Sequence, residues 1–454
     1  MALLLMMGEK MRLFVAQRQR RVPYRIQLSL LGLLLILAGC GGGTEEEPLV
    51  REPVTLTLMA FNIGETWEQA EGYAIEQFQL QEPNISFEQR PFNQAPQQAM
   101  TSTPAPDLMT SGAYSFLHQA AQSGLVIDLS ELWAETGLNE AFSPGFQQLS
   151  AYEGKQYYLP VAFAWTGIYY NRQLFADYGL QPPTTWDEFI QICDQLKAYG
   201  EIPLSLSGQD AWMSMLWFDY LDLRLNGADV HRALLQGQLP YSDARIQNVI
   251  ETWQMLFANG YFVERPELVG SLDAIHNIVR GDNGMIGRQK SAMILTGPFW
   301  MSDVPDVFRT ELDFFPFPTM NANVAPAEVV TTLGYMAPRS GTHPEATLAF
   351  LRFMGSLEGQ TAMAQQLGAA TLWAPARSDI DGELLSTAVK QGMALTAEAP
   401  NLFSPFVLSL PNAAWGPVEL AWQRYMRNTD ETVAFLDALE AMRQRGQAEG
   451  WWQQ

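Results

Sequence analysis

Strand-like and helix-like segments alternate along this chain, and this alternation restricts its fold more than any other feature. Residues 54–59 are rich in β-branched and apolar side chains, which is typical of a strand. Apolar residues at helical spacing follow, from Trp67 to Phe78, and Pro83 ends that pattern. Further strand-like runs cover residues 156–160, 167–170 and 291–295. The order of these segments predicts an α/β architecture.

Two helix starts are marked by the spacing of a capping box, a Ser or Thr followed three residues later by Glu or Gln. Thr185 and Glu188 have this spacing, and Thr342 and Glu345 repeat it before residues 346–355. The sequence therefore predicts helices that begin after Thr185 and after Thr342.

The amino terminus has the pattern of a secretory signal. A basic segment with Arg18, Arg20, Arg21 and Arg25 precedes an apolar stretch at residues 28–37, which is about half the ~20 residues that a membrane-spanning helix needs. Leu37-Ala38-Gly39-Cys40 resembles a bacterial lipobox, in which cleavage falls before the cysteine and its thiol is lipidated. We therefore expect a signal peptide at 1–39, lipidation of Cys40 and a flexible tether at 40–52. An ordinary signal peptide that happens to end in cysteine is the alternative.

Composition limits the partners of the protein. The 454 residues include 27 Lys and Arg against 49 Asp and Glu, a net charge of −22, which repels nucleic acid. The length favours two lobes over one average domain. Cys193 is the only cysteine besides Cys40. It lies on an apolar helical pattern and is predicted to be a buried free thiol.

Sequence signatures of common enzyme classes are absent. The four histidines are scattered, and no His-Glu-x-x-His or Cys-x-x-Cys pair exists, so a zinc site is unsupported. No phosphate-binding Gly-rich loop and no Gly-x-Ser-x-Gly elbow is present. We expect no catalytic residue, no metal and no cofactor, and a protein that is not an enzyme.

Several segments in order resemble the family 1 extracellular solute-binding proteins of ABC importers. They include a Gly-Lys-x-Tyr-x-x-Pro strand, a Tyr-Tyr-Asn-x-x-Leu-Phe run and a Pro-Pro-x-Thr-Trp-Asp-Glu helix start. The matching segments are residues 105–109, 122–129, 154–160, 168–175, 182–188, 291–298 and 345–351. Residues 381–454 carry little specific signal.

The resemblance implies a type II periplasmic-binding-protein fold, with two α/β lobes joined by a hinge and about three chain crossings. We expect the N-terminal lobe at 53–163 and 319–370 and the C-terminal lobe at 164–315 and 376–454. The crossings are expected near 163–165, 315–319 and 367–376. Such proteins close around a ligand that touches both lobes.

The resemblance also implies a ligand, partners and a location. We expect a sugar or oligosaccharide as ligand, ABC permease transmembrane subunits as the partner, and a monomer. The protein would be extracytoplasmic and lipid-anchored to a bacterial membrane, in the periplasm or on the outer face of the cell membrane.

Candidate ligand-binding residues follow from the position of loops after strands in sugar-binding relatives. Aromatic faces and polar groups suit a pyranose, which has flat C–H faces and a rim of hydroxyls. Trp67 also lies on an apolar helix stripe, which is typical of core packing. Relatives that bind maltose-type sugars have an aromatic residue near Ser111 and an acid near Ala164, and both are missing here. The candidates are Asn62, Trp67, Ser111, Tyr114, Trp165, Asp210, Trp212, Phe299, Trp300, Trp373 and Trp415.

Two alternatives stay open at this point. The same scaffold could bind a polyamine, a metal complex or a peptide, and Glu65, Asp210 and Asp219 are acids that suit a polyamine. The adjacent Tyr157 and Tyr158 would point to opposite faces of a strand, which disfavours a paired-tyrosine iron site. A secreted carbohydrate-active enzyme or an adhesin is the second alternative.

Overall fold

The computed structural model describes residues 52–60, 65–91, 96–112, 115–279, 289–370 and 373–452. Three predicted features, Cys40, Asn62 and Tyr114, lie outside the described residues, as does the side chain of Phe299. No helix among the described residues is long and apolar enough to cross a membrane.

The larger of two main sheets has seven strands. They are β1 Val54–Ala60, β2 Ile85–Pro91, β3 Leu108–Ser111, β6 Leu159–Trp165, β11 Ala327–Met336, β12 Ala374–Pro375 and β13 Asn401–Phe403. Their order in the sheet is β12-β6-β11-β3-β1-β2, with β13 paired to β11. β1 pairs in parallel with both β2 and β3, whereas β11 runs antiparallel to β3 and β6.

The smaller sheet has four strands, β7 Gly167–Asn171, β8 Ile202–Ser205, β9 Ser291–Thr296 and β10 Leu312–Phe315. Their order in the sheet is β10-β7-β9-β8. β8 and β9 are parallel, and β7 is antiparallel to both β9 and β10. A separate hairpin is formed by β4 Ala151–Tyr152 and β5 Lys155–Gln156.

Helices surround both sheets, as the alternating pattern predicts. Those before β7 are Glu65–Gln81, Pro96–Met100, Ser115–Gln122, Ser130–Glu135, Leu138–Ala141 and Pro144–Ser150. From β7 to β11 they are Arg172–Asp177, Trp186–Ala198, Ala211–Leu225, Ala228–Leu235, Ala244–Ala258, Ser271–His276 and Asp306–Arg309, with short 3-10 helices at Pro266–Leu268 and Pro298–Asp303. After β11 they are Pro344–Gly355, Leu357–Ala370, Thr387–Glu398, Phe406–Ser409, Asn412–Arg427 and Thr432–Ala448, with a 3-10 helix at Gly382–Leu384.

We call the part of the chain built on the seven-stranded sheet the larger lobe and the part built on the four-stranded sheet the smaller lobe. One hydrophobic cluster lies on the face of the larger sheet that carries the side chains of Leu56 and Leu58. The other fills the smaller lobe and also covers the opposite face of the larger sheet, to which Met59 points. Cys193 is fully buried in the smaller lobe, as predicted.

The chain crosses between the sheets three times within the described residues. The first two crossings, between β6 and β7 and between β10 and β11, lie close to the expected positions. The third lies after β13, because Asn401–Phe403 still pairs with β11 while Phe406 contacts Phe218 of the helix Ala211–Leu225, with ring centroids 5.0 Å apart. This is later than the expected 367–376, where Ala374–Pro375 pairs with β6 of the larger sheet.

The predicted lobe boundaries stay a prediction as a whole, with one observed departure. Residues 376–403 were assigned to the C-terminal lobe, yet the helix Thr387–Glu398 packs on β6 of the larger sheet. Gly392 of this helix lies against the Trp165 ring, where a larger side chain would clash. Glycine at this position permits the close approach that holds the helix in the larger lobe.

One of the two predicted capping boxes forms. The Thr185 hydroxyl accepts the N–H of Glu188, and the Glu188 carboxylate accepts the N–H of Thr185. The second prediction is wrong, because the helix begins at Pro344 and its N-cap residue, His343, makes no side-chain capping hydrogen bond. The carboxylate of Asp107 supplies the hydrogen bonds at this helix start, since it accepts the N–H groups of Thr342 and His343 at 2.8 and 2.9 Å.

Candidate functional site

The strand directions place one edge of each sheet at the crossings. β1, β3 and β6 point the same way, so Ala60, Ser111 and Trp165 end at a common edge of the larger sheet. In the smaller sheet, Thr296 at the carboxyl end of β9 pairs with Gly167, two residues after Trp165. The carboxyl edges of the two sheets therefore meet, and this is where ligands bind in open α/β sheets.

The smaller lobe presents a pair of stacked indoles at this edge. Trp212 opens the helix Ala211–Leu225 after β8, and Trp300 lies in the 3-10 helix after β9. Their ring centroids are 6.0 Å apart with an interplanar angle of 20°. Trp212 is buried and Trp300 is partly exposed. The 3-10 helix that carries Trp300 also contacts β6 of the larger sheet, so the pair lies where the lobes meet.

Asp210 directly precedes the helix that carries Trp212, and a second acid, Glu419, lies within reach of its charge. The Asp210 carboxylate accepts hydrogen bonds from the backbone N–H and the hydroxyl of Ser271, both at 2.8 Å. Glu419 was not predicted from the sequence. Burial, and next the charge of Asp210, raise the pKa of Glu419 above its usual value. Its signal in the sequence was the four-residue spacing from Trp415, which puts both side chains on one helix face.

Trp415 is held by a structural bond. Its indole N–H donates to the Leu410 carbonyl at 2.8 Å across the start of the helix Asn412–Arg427, and the ring is partly exposed. This helix packs on the helix that Trp212 begins. The ring therefore borders the same lobe surface, with its polar atom already used.

The larger lobe buries its candidate aromatics. Trp67 and Trp373 pack edge to face, with centroids 6.3 Å apart, at 2% and 8% exposure. Trp165 is fully buried between Phe314, at 5.3 Å, and Gly392. The structure thus brings Trp212, Trp300 and Asp210 together and leaves Trp67, Trp165 and Trp373 inside packed surroundings.

Ser111 is buried at the end of β3. Its hydroxyl donates to the Gly112 carbonyl, and its own carbonyl accepts the Tyr158 hydroxyl at 2.8 Å. The structure leaves its assignment as a ligand contact a prediction. Because Tyr158 is engaged in this bond and fully buried, the Tyr157–Tyr158 pair forms no iron site. No group of three or more His, Cys, Asp or Glu side chains that could hold a metal ion occurs in the described part of the chain.

One buried carboxylate fixes the helix that carries Trp67. Glu71 accepts the Tyr335 hydroxyl at 2.7 Å, the Thr110 hydroxyl at 3.2 Å and the side-chain amide of Gln89 at 3.1 Å. Burial raises the pKa of Glu71, and the hydrogen bonds from Tyr335 and Thr110 oppose the rise. Glu71 thereby ties the helix to three strands of the larger sheet.

Comparison with known proteins agrees with this architecture. The family model of the bacterial extracellular solute-binding proteins matches residues 65–361. An uncharacterized ABC transporter extracellular-binding protein of Pyrococcus horikoshii is 22% identical over 92% of this chain and 97% of its own length.

Solved structures share the fold. The bacterial solute receptor AcbH, described as preferring β-D-galactopyranose, has a TM-score of 0.76 at 19% identity and covers 87% of this chain and 98% of its own. RafE in complex with raffinose has a TM-score of 0.65 at 19% identity, covering 86% of this chain and 98% of its own. The predicted two-lobe periplasmic-binding-protein fold is confirmed, and the chain belongs to the family of bacterial extracellular solute-binding proteins.

Proposed function

We propose that this protein is the extracytoplasmic substrate-binding component of an ABC importer, and that it captures a sugar or oligosaccharide between its lobes and delivers it to a membrane permease. Family relatives are named for related roles. They include a multiple sugar-binding protein of Streptococcus mutans and the diacetylchitobiose-binding protein of Streptomyces coelicolor.

The observation that carries the proposal is the stacked Trp212–Trp300 pair beside Asp210 at the junction of the lobes. An indole face suits the C–H face of a pyranose, and a carboxylate accepts hydrogen bonds from its hydroxyls. A ligand that touches this surface and the larger lobe together favours the closed arrangement of the lobes.

The proposed substrate is tested by thermal unfolding of the protein against galactose, raffinose, chitobiose, polyamines and metal chelates. A ligand at about 100 times its Kd stabilises the native state by about 2.7 kcal/mol. A rise in Tm with one sugar class supports the proposal. A rise only with polyamines or metal complexes contradicts it.

A pair of variants then locates the site. Trp300→Ala should weaken binding of the sugar found in the screen by about 2 kcal/mol, or roughly thirtyfold, as expected for an aromatic side chain that the bound ligand covers. Trp452→Ala is the matched control. Trp452 is also partly buried in the smaller lobe, but its N–H donates to the Leu235 carbonyl, and its ring packs on Gly237 and Gly446. Calorimetric titration that shows equal affinity for both variants would place the site elsewhere.

A polyamine remains the second candidate because Asp210 directly precedes the helix that carries Trp212, and its charge acts on a second acid, Glu419. Asp219, which the sequence also offered for a polyamine, is fully buried against His231 and is removed from that role.

Membrane attachment is a separate part of the proposal. The lipobox-like Leu37-Ala38-Gly39-Cys40 supports a lipid anchor on Cys40 and an extracytoplasmic location. We also propose that the protein acts as a monomer. Mass spectrometry of the mature amino-terminal peptide tests the lipid anchor. An unmodified Cys40, or cleavage at another site, would contradict it.

A further inference from the structure

The helix Ala211–Leu225 makes side-chain hydrogen bonds to the first two crossing segments. The Tyr220 hydroxyl lies 3.0 Å from the carbonyl of Thr166, which separates β6 from β7. Arg224 donates to the carbonyls of Phe317 and Ala327, at the two ends of the second crossing.

The same helix holds the third crossing. The Asp219 carboxylate accepts the backbone N–H of Phe406 at 3.0 Å, just after β13. One helix of the smaller lobe is therefore fastened to every segment that joins the lobes within the described residues.

A buried ion pair links this helix directly to the larger sheet. Arg224 contacts Glu328 of β11 at 2.5 Å, and their side chains are 8% and 3% exposed. The Tyr220 hydroxyl lies 2.9 Å from the other Glu328 oxygen and accepts the N–H of Val329 at 3.3 Å. Opening a buried pair of this kind leaves an uncompensated charge, which is strongly unfavourable. These contacts should therefore persist while the lobes move.

We propose that the end of this helix formed by Asp219, Tyr220 and Arg224 is the pivot of lobe closure, and that its other end carries Trp212 as a lever. This rests on the proposed function, since it assumes closure around a ligand. Trp212 lies eight residues before Tyr220, about 12 Å along the helix axis. Each rotation of about 10° at the pivot thus moves the indole by about 2 Å, while the crossing segments keep their bonds.

The first test uses amide hydrogen exchange of the full-length protein without sugar. The Val329 and Phe406 amides should exchange as slowly as amides of β9, although they lie between the lobes. Tyr220→Phe removes the hydroxyl and should speed exchange at Val329 at least tenfold. It should also increase the radius of gyration measured by X-ray scattering, because the lobes sample wider angles.

Tyr241→Phe is the matched control. Tyr241 is also buried in the smaller lobe, and its hydroxyl has no hydrogen-bond partner among the described residues. Exchange at Val329 and the radius of gyration should stay as in the native protein. If Tyr220→Phe fails to fold, Glu328→Gln replaces it, with the same expectation. Native-like exchange of the Val329 amide in Tyr220→Phe, or equal changes in Tyr241→Phe, would overturn the proposal.

A second arm measures affinity for galactose and raffinose as probes. The pivot predicts binding about tenfold weaker in Tyr220→Phe than in Tyr241→Phe, although neither tyrosine is among the candidate ligand contacts. If no sugar binds the native protein, the proposed substrate fails and the exchange experiment still decides the pivot. If sugar binds all three proteins equally, the pivot fails and the proposed function stands.

Discussion

The two lobes each pair two candidate tryptophans, but in different geometries. Trp67 and Trp373 of the larger lobe meet edge to face at 64°, whereas Trp212 and Trp300 of the smaller lobe stack at 20°. An edge-to-face pair surrounded by core residues has both ring faces covered. In the stacked pair Trp300 is partly exposed, so the smaller lobe presents part of an indole to the surface where the lobes meet. Ring geometry and exposure, more than tryptophan content, distinguish a packed core from a binding surface.

The lobes also stabilise buried carboxylates differently. Glu71 of the larger lobe is held by hydroxyls and an amide, which are neutral donors. In the smaller lobe, Asp219 and Asp222 face His231, and Glu328 of β11 reaches across to Arg224. Asp219 and Asp222 of the smaller lobe therefore depend on the protonation of the fully buried His231, whereas Glu71 of the larger lobe is held without a charged partner.

The largest expected effect separates the two tryptophan pairs by stability. Trp67→Ala removes a ring that is 2% exposed and should lower the free energy of unfolding by about 3–5 kcal/mol, from lost burial and the cavity left behind. Trp300→Ala should cost much less, because its ring is partly exposed. Urea unfolding of both variants measures the difference. Equal losses would show that the Trp212–Trp300 pair is also part of the hydrophobic core, and the two tryptophan pairs would then not differ in this respect.

The next effect tests the ionic core of the smaller lobe. Burial alone would lower the pKa of His231, but its hydrogen bonds to Asp219 and Asp222 and their charges raise that pKa from 6.5 to about 9. A folded-state pKa above the unfolded value stabilises the protein fully below pH 6.5, and this contribution is lost as pH rises through 9. The loss should be about 3 kcal/mol.

Chemical unfolding between pH 6.5 and 9.5 measures this loss, and the same series on His231→Gln should lack that part of the slope. Arg245, whose pKa is raised by its hydrogen bond to Asp243 and also by the charge of Asp222, stays protonated over this range. A native protein whose stability is flat across the window would show that His231 is neutral in the fold.

The sequence predicted the features that depend on local order. The strand-helix alternation, the Thr185 capping box and the buried Cys193 all follow from residues that are close together in the sequence, and all are present.

Features that need distant segments were not predictable in this way. The cap at Pro344 comes from 236 residues earlier in the chain, so the Thr342–Glu345 spacing was misleading. Trp165 follows a strand, as binding residues often do, but Gly392 and Phe314 close over it. The residues around Asn62 and Tyr114, which would supply the larger lobe's polar contacts, stay predictions.

The smallest effect concerns Trp415, which belongs to the smaller lobe's surface yet is held like a core residue. Trp415→Phe keeps an aromatic ring but removes the N–H that donates to the Leu410 carbonyl, and should cost about 0.5–1.5 kcal/mol of stability. If the ring face contacts sugar, phenylalanine should retain most of the affinity, whereas Trp415→Ala should lose it. Calorimetric titration with the sugar found in the screen decides between these roles. Unchanged affinity in both variants would assign Trp415 to structure alone and confine the aromatic surface of the smaller lobe to Trp212 and Trp300.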